Sequence, residues 1–322
     1  MSLLSIFATA ILPVVAMAAT GYALARITDV EADALNTVTV YVLAPALVVH
    51  SLTTSALGGG TIVRVVAVVG AFTLAMLAVS EGFGRLSGRS EPLLGAFVLV
   101  TIFPNTGNYG IPLADFAFGP EGRSTAVLVT ALQGVLLYTL GIYVAARGGE
   151  GDALSSMRRV FSVPLVYAVV VALAARWLGL VPPEEGTLMS TLELLGNASI
   201  PIMLLILGIQ LANADVSDAL RPVAGASVMR LLVAPAVALA VTLGTAALIG
   251  FENQTVARVV VLLLGTPTGV TPIILVGAFS SVGEGDGLDP SAFVSATVLV
   301  TTVASVVTVT ALVAVLQSGA VL

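Results

Sequence analysis

Long apolar runs broken by short polar punctuation dominate this chain of 322 residues. A run of about 18 or more apolar residues is long enough to cross the hydrocarbon core of a bilayer as a helix. Ten such spans are predicted: 3–25, 35–52, 61–84, 92–116 and 124–146 in the first half, and 162–178, 188–211, 223–249, 255–279 and 290–316 in the second. The fold class this predicts is an all-α integral membrane protein. No polar stretch exceeds that from Arg147 to Arg159, so no long soluble domain is expected. Ala16-Met17-Ala18 imitates a secretory cleavage site, but no basic residue precedes the apolar run and the run continues to Arg26, so cleavage is not expected.

Two of the spans are interrupted. The fourth reads Thr101-Ile-Phe-Pro104-Asn105-Thr106-Gly107-Asn108-Tyr109-Gly110-Ile111-Pro112, and the ninth Leu264-Gly265-Thr266-Pro267-Thr268-Gly269-Val270-Thr271-Pro272. Each puts prolines, glycines and hydrogen-bonding side chains where a helix least tolerates lost backbone bonds. They also hold corresponding places in the two halves. Spans two and seven both carry a proline about ten residues after a polar opening, Pro45 and Pro201, while spans one and six share an apolar-Pro-apolar pattern at Pro13 and Pro164. Five spans per copy is odd, so the second copy sits inverted in the bilayer, and broken helices at matching places of an inverted repeat are how many secondary transporters build a substrate site. The repeats expected are 1–146 and 162–322, joined by a loop at 147–161.

Composition strengthens the membrane reading and narrows the chemistry. Hydrophobic residues make up 58% of the chain, charged residues 9%, and the mean hydropathy is +1.10; a soluble domain carries about 25% charged residues. All twelve basic residues are arginine, and seven lie in the loops after spans one, three, five and seven, against Arg64, Arg123, Arg176 and Arg258 opposite. The positive-inside rule then places the 147–161 loop in the cytoplasm and both termini outside the cell membrane. With no cysteine, disulfides, thiolate metal sites and cysteine nucleophiles are excluded. The net charge of −6 and the absence of lysine fit a high-salt host, and an arginine-favouring GC-rich genome explains them equally well. No basic patch suggests nucleic acid.

A Leu35-Asn36-x-x-x-x-Tyr41-x-x-x-Pro45-Ala46-Leu47 second span, Pro104-Asn105-Thr106-Gly107-x-x-Gly110-x-Pro112 in the fourth and Pro267-Thr268-Gly269-x-Thr271 in the ninth resemble the auxin efflux carrier family. That family includes the PIN carriers of plants and prokaryotic permeases described for malate or malonate. The resemblance covers nearly the whole chain. It implies a scaffold of spans one, two, six and seven that also forms a homodimer, and a transport domain of spans three to five and eight to ten in which the broken helices cross. It carries over Pro104, Asn105, Pro267 and Thr268 as residues lining the substrate site.

Physical chemistry points the same way. Half-helix N-termini aim N–H groups and partial positive charge at the bilayer centre, an environment suited to a small carboxylate. Asn105, Thr106, Asn108, Thr268 and Thr271 offer uncharged hydrogen-bonding groups beside Pro104, Gly107, Pro267 and Gly269, and these nine form the candidate substrate site. The plain structural reading is that the prolines only kink packed helices. Pathway or coupling candidates are Glu193, Asp115, Arg230 and Gln133. Glu193 is either a proton-coupling carboxylate or an interfacial helix-start acid, and Asp115 belongs to a pathway mouth or an interface. Arg230 attracts anionic cargo, pairs with Glu193 or Asp115, or snorkels to the interface. His50 reads as an interfacial helix-end residue.

The function expected is secondary or facilitative transport of a small organic anion by alternating access, with no enzyme activity and no cofactor; Na⁺ and H⁺ coupling both stay open. A passive channel is the main competitor. Gly283-Glu284-Gly285-Asp286 matches the Gly-x-Gly-Asp signature of aspartyl intramembrane proteases, but it sits in a polar loop without a second embedded aspartate.

Overall fold

A computed structural model describes residues 3–148, 164–213, 220–251, 253–279 and 289–321. The Gly283 to Asp286 signature, and Arg158 and Arg159 of the charge count, lie outside them. The described residues form helices and connecting segments, with no strand; the one piece of extended pairing is an isolated bridge taken up below. Among the described residues seven helices are long and apolar enough to cross a membrane: α1 (Leu4–Ile27), α2 (Ala32–Thr53), α3 (Gly59–Leu86), α5 (Thr106–Ala145), α7 (Thr187–Ala212), α8 (Pro222–Ile249) and α11 (Pro290–Gln317). Three shorter apolar helices are α4 (Leu93–Ile102), α6 (Pro164–Trp177) and α9 (Gln254–Leu264), and α10 (Thr271–Phe279) follows the second interruption.

Helix ends follow local chemistry. The Asp289 carboxylate accepts from the N–H groups of Ser291 and Ala292, and Pro290 takes the first helical position, where a missing N–H costs nothing. Asn253 caps α9 by accepting from the Val256 N–H at 3.1 Å. In α5 the chain bends at Gly119, whose φ of 65° and ψ of −154° are open to glycine, and Pro120 follows. The 40-residue helix is thereby folded between the regions read from sequence as the fourth and fifth spans.

Within the long helices, prolines are tolerated because the turn ahead of them widens. Five-residue π-helical turns at Phe7–Ile11, Thr39–Leu43, Thr106–Gly110 and Met229–Val233 end two residues before Pro13, Pro45, Pro112 and Pro235. A proline ring clashes with the carbonyl four residues back and leaves it without a donor, and an i→i+5 turn accommodates both. Pro201 has no such turn before it.

Packing separates two sets of helices. Helix α7 packs on α1 and α2, and α2 on α6, while α3, α4, α5, α8, α9, α10 and α11 form a second network; α5 touches all four helices of the first set and α11 touches α1. Contact between α1 and α7 is backbone to backbone: a Cβ on Gly208 would lie 1.9 Å from the Ala18 carbonyl oxygen. Only glycine fits there, as in the small-residue seams that join membrane helices.

Candidate functional site

The two interruptions meet. Residues 103–105 and 265–270 separate α4 from α5 and α9 from α10, and Pro104 pairs with Thr268 in an antiparallel bridge. The Asn105 N–H donates to the Pro267 carbonyl at 2.8 Å, and the Gly269 N–H to the Phe103 carbonyl at 2.9 Å. Each break thus satisfies the other.

The carbonyls that the prolines and helix ends leave without an intrahelical donor find other donors, which matters where water is scarce. Pro104 has no N–H to give the Val100 carbonyl four residues back; the Thr268 hydroxyl donates to it instead, at 2.9 Å. Pro267 likewise gives no N–H to the Leu263 carbonyl, which accepts from the Thr266 hydroxyl at 2.8 Å and the Thr266 N–H at 3.2 Å. Four more carbonyls accept from a single side chain. Arg230, in the π-helical turn of α8 and fully buried, donates from Nε to the Thr266 oxygen at 2.8 Å and from Nη1 to the oxygens of Thr101 and Ile102 at 2.8 and 3.3 Å. Its Nη2 donates to the Leu264 oxygen. These bonds hold the C-terminal ends of α4 and α9.

On the other side of the breaks lies a cavity of about 280 Å³, near the small end of the range for ligand pockets, roughly 300–1,000 Å³. The first turn of α5 contributes Thr106, Gly107 and Asn108 after Pro104 and Asn105, and the approach to α10 contributes Gly269, Val270 and Thr271. Helix α2 adds Asn36 and Thr39, and the second part of α5 adds Thr130, Gln133 and Tyr138. Among the described residues no acidic, basic or histidine side chain lines it. Two helix N-termini, those of α5 and α10, thus face a cavity with no counter-charge, and such ends carry partial positive charge and N–H groups without intrahelical acceptors. Asn105 and Gln133 are 6% and 4% exposed, and Asn105 Nδ2, Thr130 Oγ1 and both amide atoms of Gln133 have no hydrogen-bond partner. Turning the Gln133 amide over changes nothing, since neither end is paired. Buried polar atoms of this kind are costly to leave unmade, about 1–3 kcal/mol each, so their clustering around one cavity points to a ligand that pairs them.

Paired breaks, opposed helix ends and a neutral polar cavity inside an apolar helical protein are transporter features, and sequence comparison decides the matter: the family described as Membrane transport protein matches residues 6–313. The chain belongs to that family. It is the auxin efflux carrier family suggested by the Pro-Asn-Thr-Gly motif. A Rhizobium meliloti protein named "Putative malonate transporter" is 26% identical over 96% of both chains. An uncharacterized transporter of Methanothermobacter thermautotrophicus is 24% identical over 65% of this chain and 68% of its own. Another, from Methanocaldococcus jannaschii, is 29% identical over 45% of this chain; the match spans less than half of that relative, 47%. The family and these relatives are transporters, not enzymes, and the chain is a membrane-embedded multi-pass protein.

Within this member of the family the predicted site residues divide. Pro104, Asn105, Thr106, Gly107, Asn108, Gly269, Thr271 and Gln133 line the cavity, whereas Pro267 and Thr268 stand behind it, engaged in the bonds between the breaks. Asp115 accepts a two-point ion pair from Arg123 at 2.8 and 2.9 Å, and Arg123 Nη1 also donates to Asn197 Oδ1 on α7 at 2.7 Å. Arg230 therefore meets carbonyls rather than Glu193 or Asp115, and it does not reach the interface. Glu193 is exposed on α7, and His50 is half-buried in the last turn of α2, neither against the cavity. Val270 also borders a second cavity, of about 460 Å³, lined by Glu31, Asp33, Gln210 and Asn213. Thr130 escaped the sequence reading although it lies three residues before Gln133, a spacing that puts both on one helix face.

Proposed function

We propose that this family member is a carrier that moves small organic carboxylates across the cell membrane by alternating access, with its substrate site in the cavity where the two breaks meet. The observation that carries the reading is the juxtaposition of two helix N-termini with the unpartnered side-chain nitrogen of Asn105 in a cavity that no charged side chain among the described residues lines. Helix ends and amide donors attract a carboxylate without a fixed cation. A neutral site also lets the empty protein close and return.

In this reading the chain crosses the bilayer ten times as two inverted five-span repeats. α4 with the first part of α5, and α9 with α10, are the two broken spans, crossing at Pro104 and Thr268. Helices α1, α2, α6 and α7 form the scaffold and dimer surface, and the others form the moving body; the two packing networks support that division. The termini lie outside the cell. The second cavity then opens toward the cytoplasmic loops, while Arg123 ties α5 to α7 at the far end, as an inward-facing form requires. The name of the Rhizobium meliloti relative makes malonate the first cargo to try.

A thermal-shift screen of the purified protein against small carboxylates and their uncharged amide counterparts tests the site. A carboxylate should raise the melting midpoint, its amide should not, and the Asn105→Ala variant should need a higher carboxylate concentration for the same rise. Equal shifts from carboxylate and amide, or no shift from any carboxylate, would overturn the reading.

A further inference from the structure

Arg230 touches nothing in the cavity, yet its position bears on what the cavity attracts. At each break one half-helix ends and another begins, so negative and positive helix ends lie a few residues apart. The ends of α4 and α9 each carry roughly half a negative charge, and the starts of α5 and α10 roughly half a positive one. Left to themselves, the two negative ends would largely cancel the field of the positive ends at the cavity. The Arg230 guanidinium carries one positive charge and donates to the last two carbonyls of α4, to the last carbonyl of α9 and to Thr266 beyond it. One unit of positive charge against two half-units of negative charge is a close balance. No carboxylate is among these partners, so the charge of the arginine is directed at the helix ends alone.

The geometry assigns Arg230 the part of a positioning residue that sets the anion affinity of the cavity from behind, by neutralising the negative ends of both broken helices and fixing the two breaks as one body. This rests on the reading of the cavity as the carboxylate site. Arginine suits the task because its planar guanidinium presents five donors in a fixed fork, which here reach carbonyls of two different helices. Lysine offers the same charge from a single point and holds fewer of the carbonyls. A neutral side chain of similar length, such as methionine, fills the space and removes both the charge and the donors.

The test uses the absence of cysteine from the chain. A single cysteine placed by Asn108→Cys, in the first turn of α5 beside the cavity, reports the local potential through its thiol, because positive surroundings favour the thiolate. The thiol pKa is read from the pH dependence of alkylation by iodoacetamide, a small neutral reagent, on detergent-purified protein that runs as one species in size exclusion. With Arg230 in place the pKa should fall below the ordinary value of about 8.5. With Arg230→Met it should rise by about one pH unit or more, a tenfold loss of thiolate at neutral pH, and Arg230→Lys should restore most of the depression. If Arg230→Met does not yield folded protein, the comparison is made with Arg230→Gln against Arg230→Lys, which differ in charge. A thiol pKa that is depressed in the presence of Arg230 and unchanged in the neutral variant overturns the inference while leaving the carboxylate site standing. A thiol that is not depressed even with Arg230 present overturns both.

Discussion

Replacing Gly269 by alanine probes the pairing of the breaks where they are tightest. A Cβ at this position would stand 3.1 Å from the Pro104 oxygen and 3.3 Å from the Phe103 oxygen, both backbone atoms. Neither can move freely: the Phe103 carbonyl already accepts from the Gly269 N–H at 2.9 Å, and the chain on either side is held by Arg230 and Thr268. Forcing a methyl group into a packed site costs about 1–3 kcal/mol, and stretching the bridge removes about 1 kcal/mol of hydrogen bonding. The expected loss of stability is therefore roughly 2–4 kcal/mol. Gly244→Ala is the control, since a Cβ there meets nothing within 4 Å and the residue lies inside α8; that change should stabilise by about 0.5–1 kcal/mol. Melting midpoints of both variants in detergent micelles, beside the parent protein, decide the matter. A Gly269→Ala protein as stable as Gly244→Ala would refute the pairing of the two breaks.

Other substitutions separate cavity from support. Asn105→Ala removes a donor to a charged group, worth about 1.5–3 kcal/mol, so carboxylate affinity by titration should fall roughly tenfold to a hundredfold; an unchanged affinity would move the site. Thr268→Val keeps the shape but strands the Val100 carbonyl freed by Pro104, lowering stability by about 1–3 kcal/mol with little change in KM. A selective rise in KM without loss of stability would return Thr268 to the cavity wall. Glu193→Gln, on an exposed face away from the cavity, should leave the pH profile of uptake unchanged; a shifted profile would give that carboxylate a coupling role.

The interruptions were legible because proline and glycine act locally: Pro104, Gly107 and Pro267 announce a break whatever surrounds them. That the breaks bond to each other was not, since the partner of an extended backbone segment lies far away in sequence and is chosen by packing. Thr268 illustrates the difference. Its hydroxyl near a proline suggests a ligand group, but the carbonyl that Pro104 releases is an equally good acceptor, and only the approach of the two segments shows that it wins. Arg230 is similar: apolar neighbours reveal that it is deep, not that four carbonyls wait for it. Span lengths were read generously where helices are short. α4 and α9 end at the breaks, whereas the turn at Gly119 and Pro120 leaves helical geometry where the sequence places the junction of the fourth and fifth spans.

Counterflow in proteoliposomes tests the central claim of a carrier with its site between the breaks. Uptake of a labelled carboxylate identified by the thermal-shift screen should saturate, accelerate when unlabelled carboxylate is loaded inside, and in Asn105→Ala require roughly tenfold to a hundredfold more carboxylate to saturate. Non-saturating, ohmic flux indifferent to carboxylate on the opposite side would contradict the account and favour a channel.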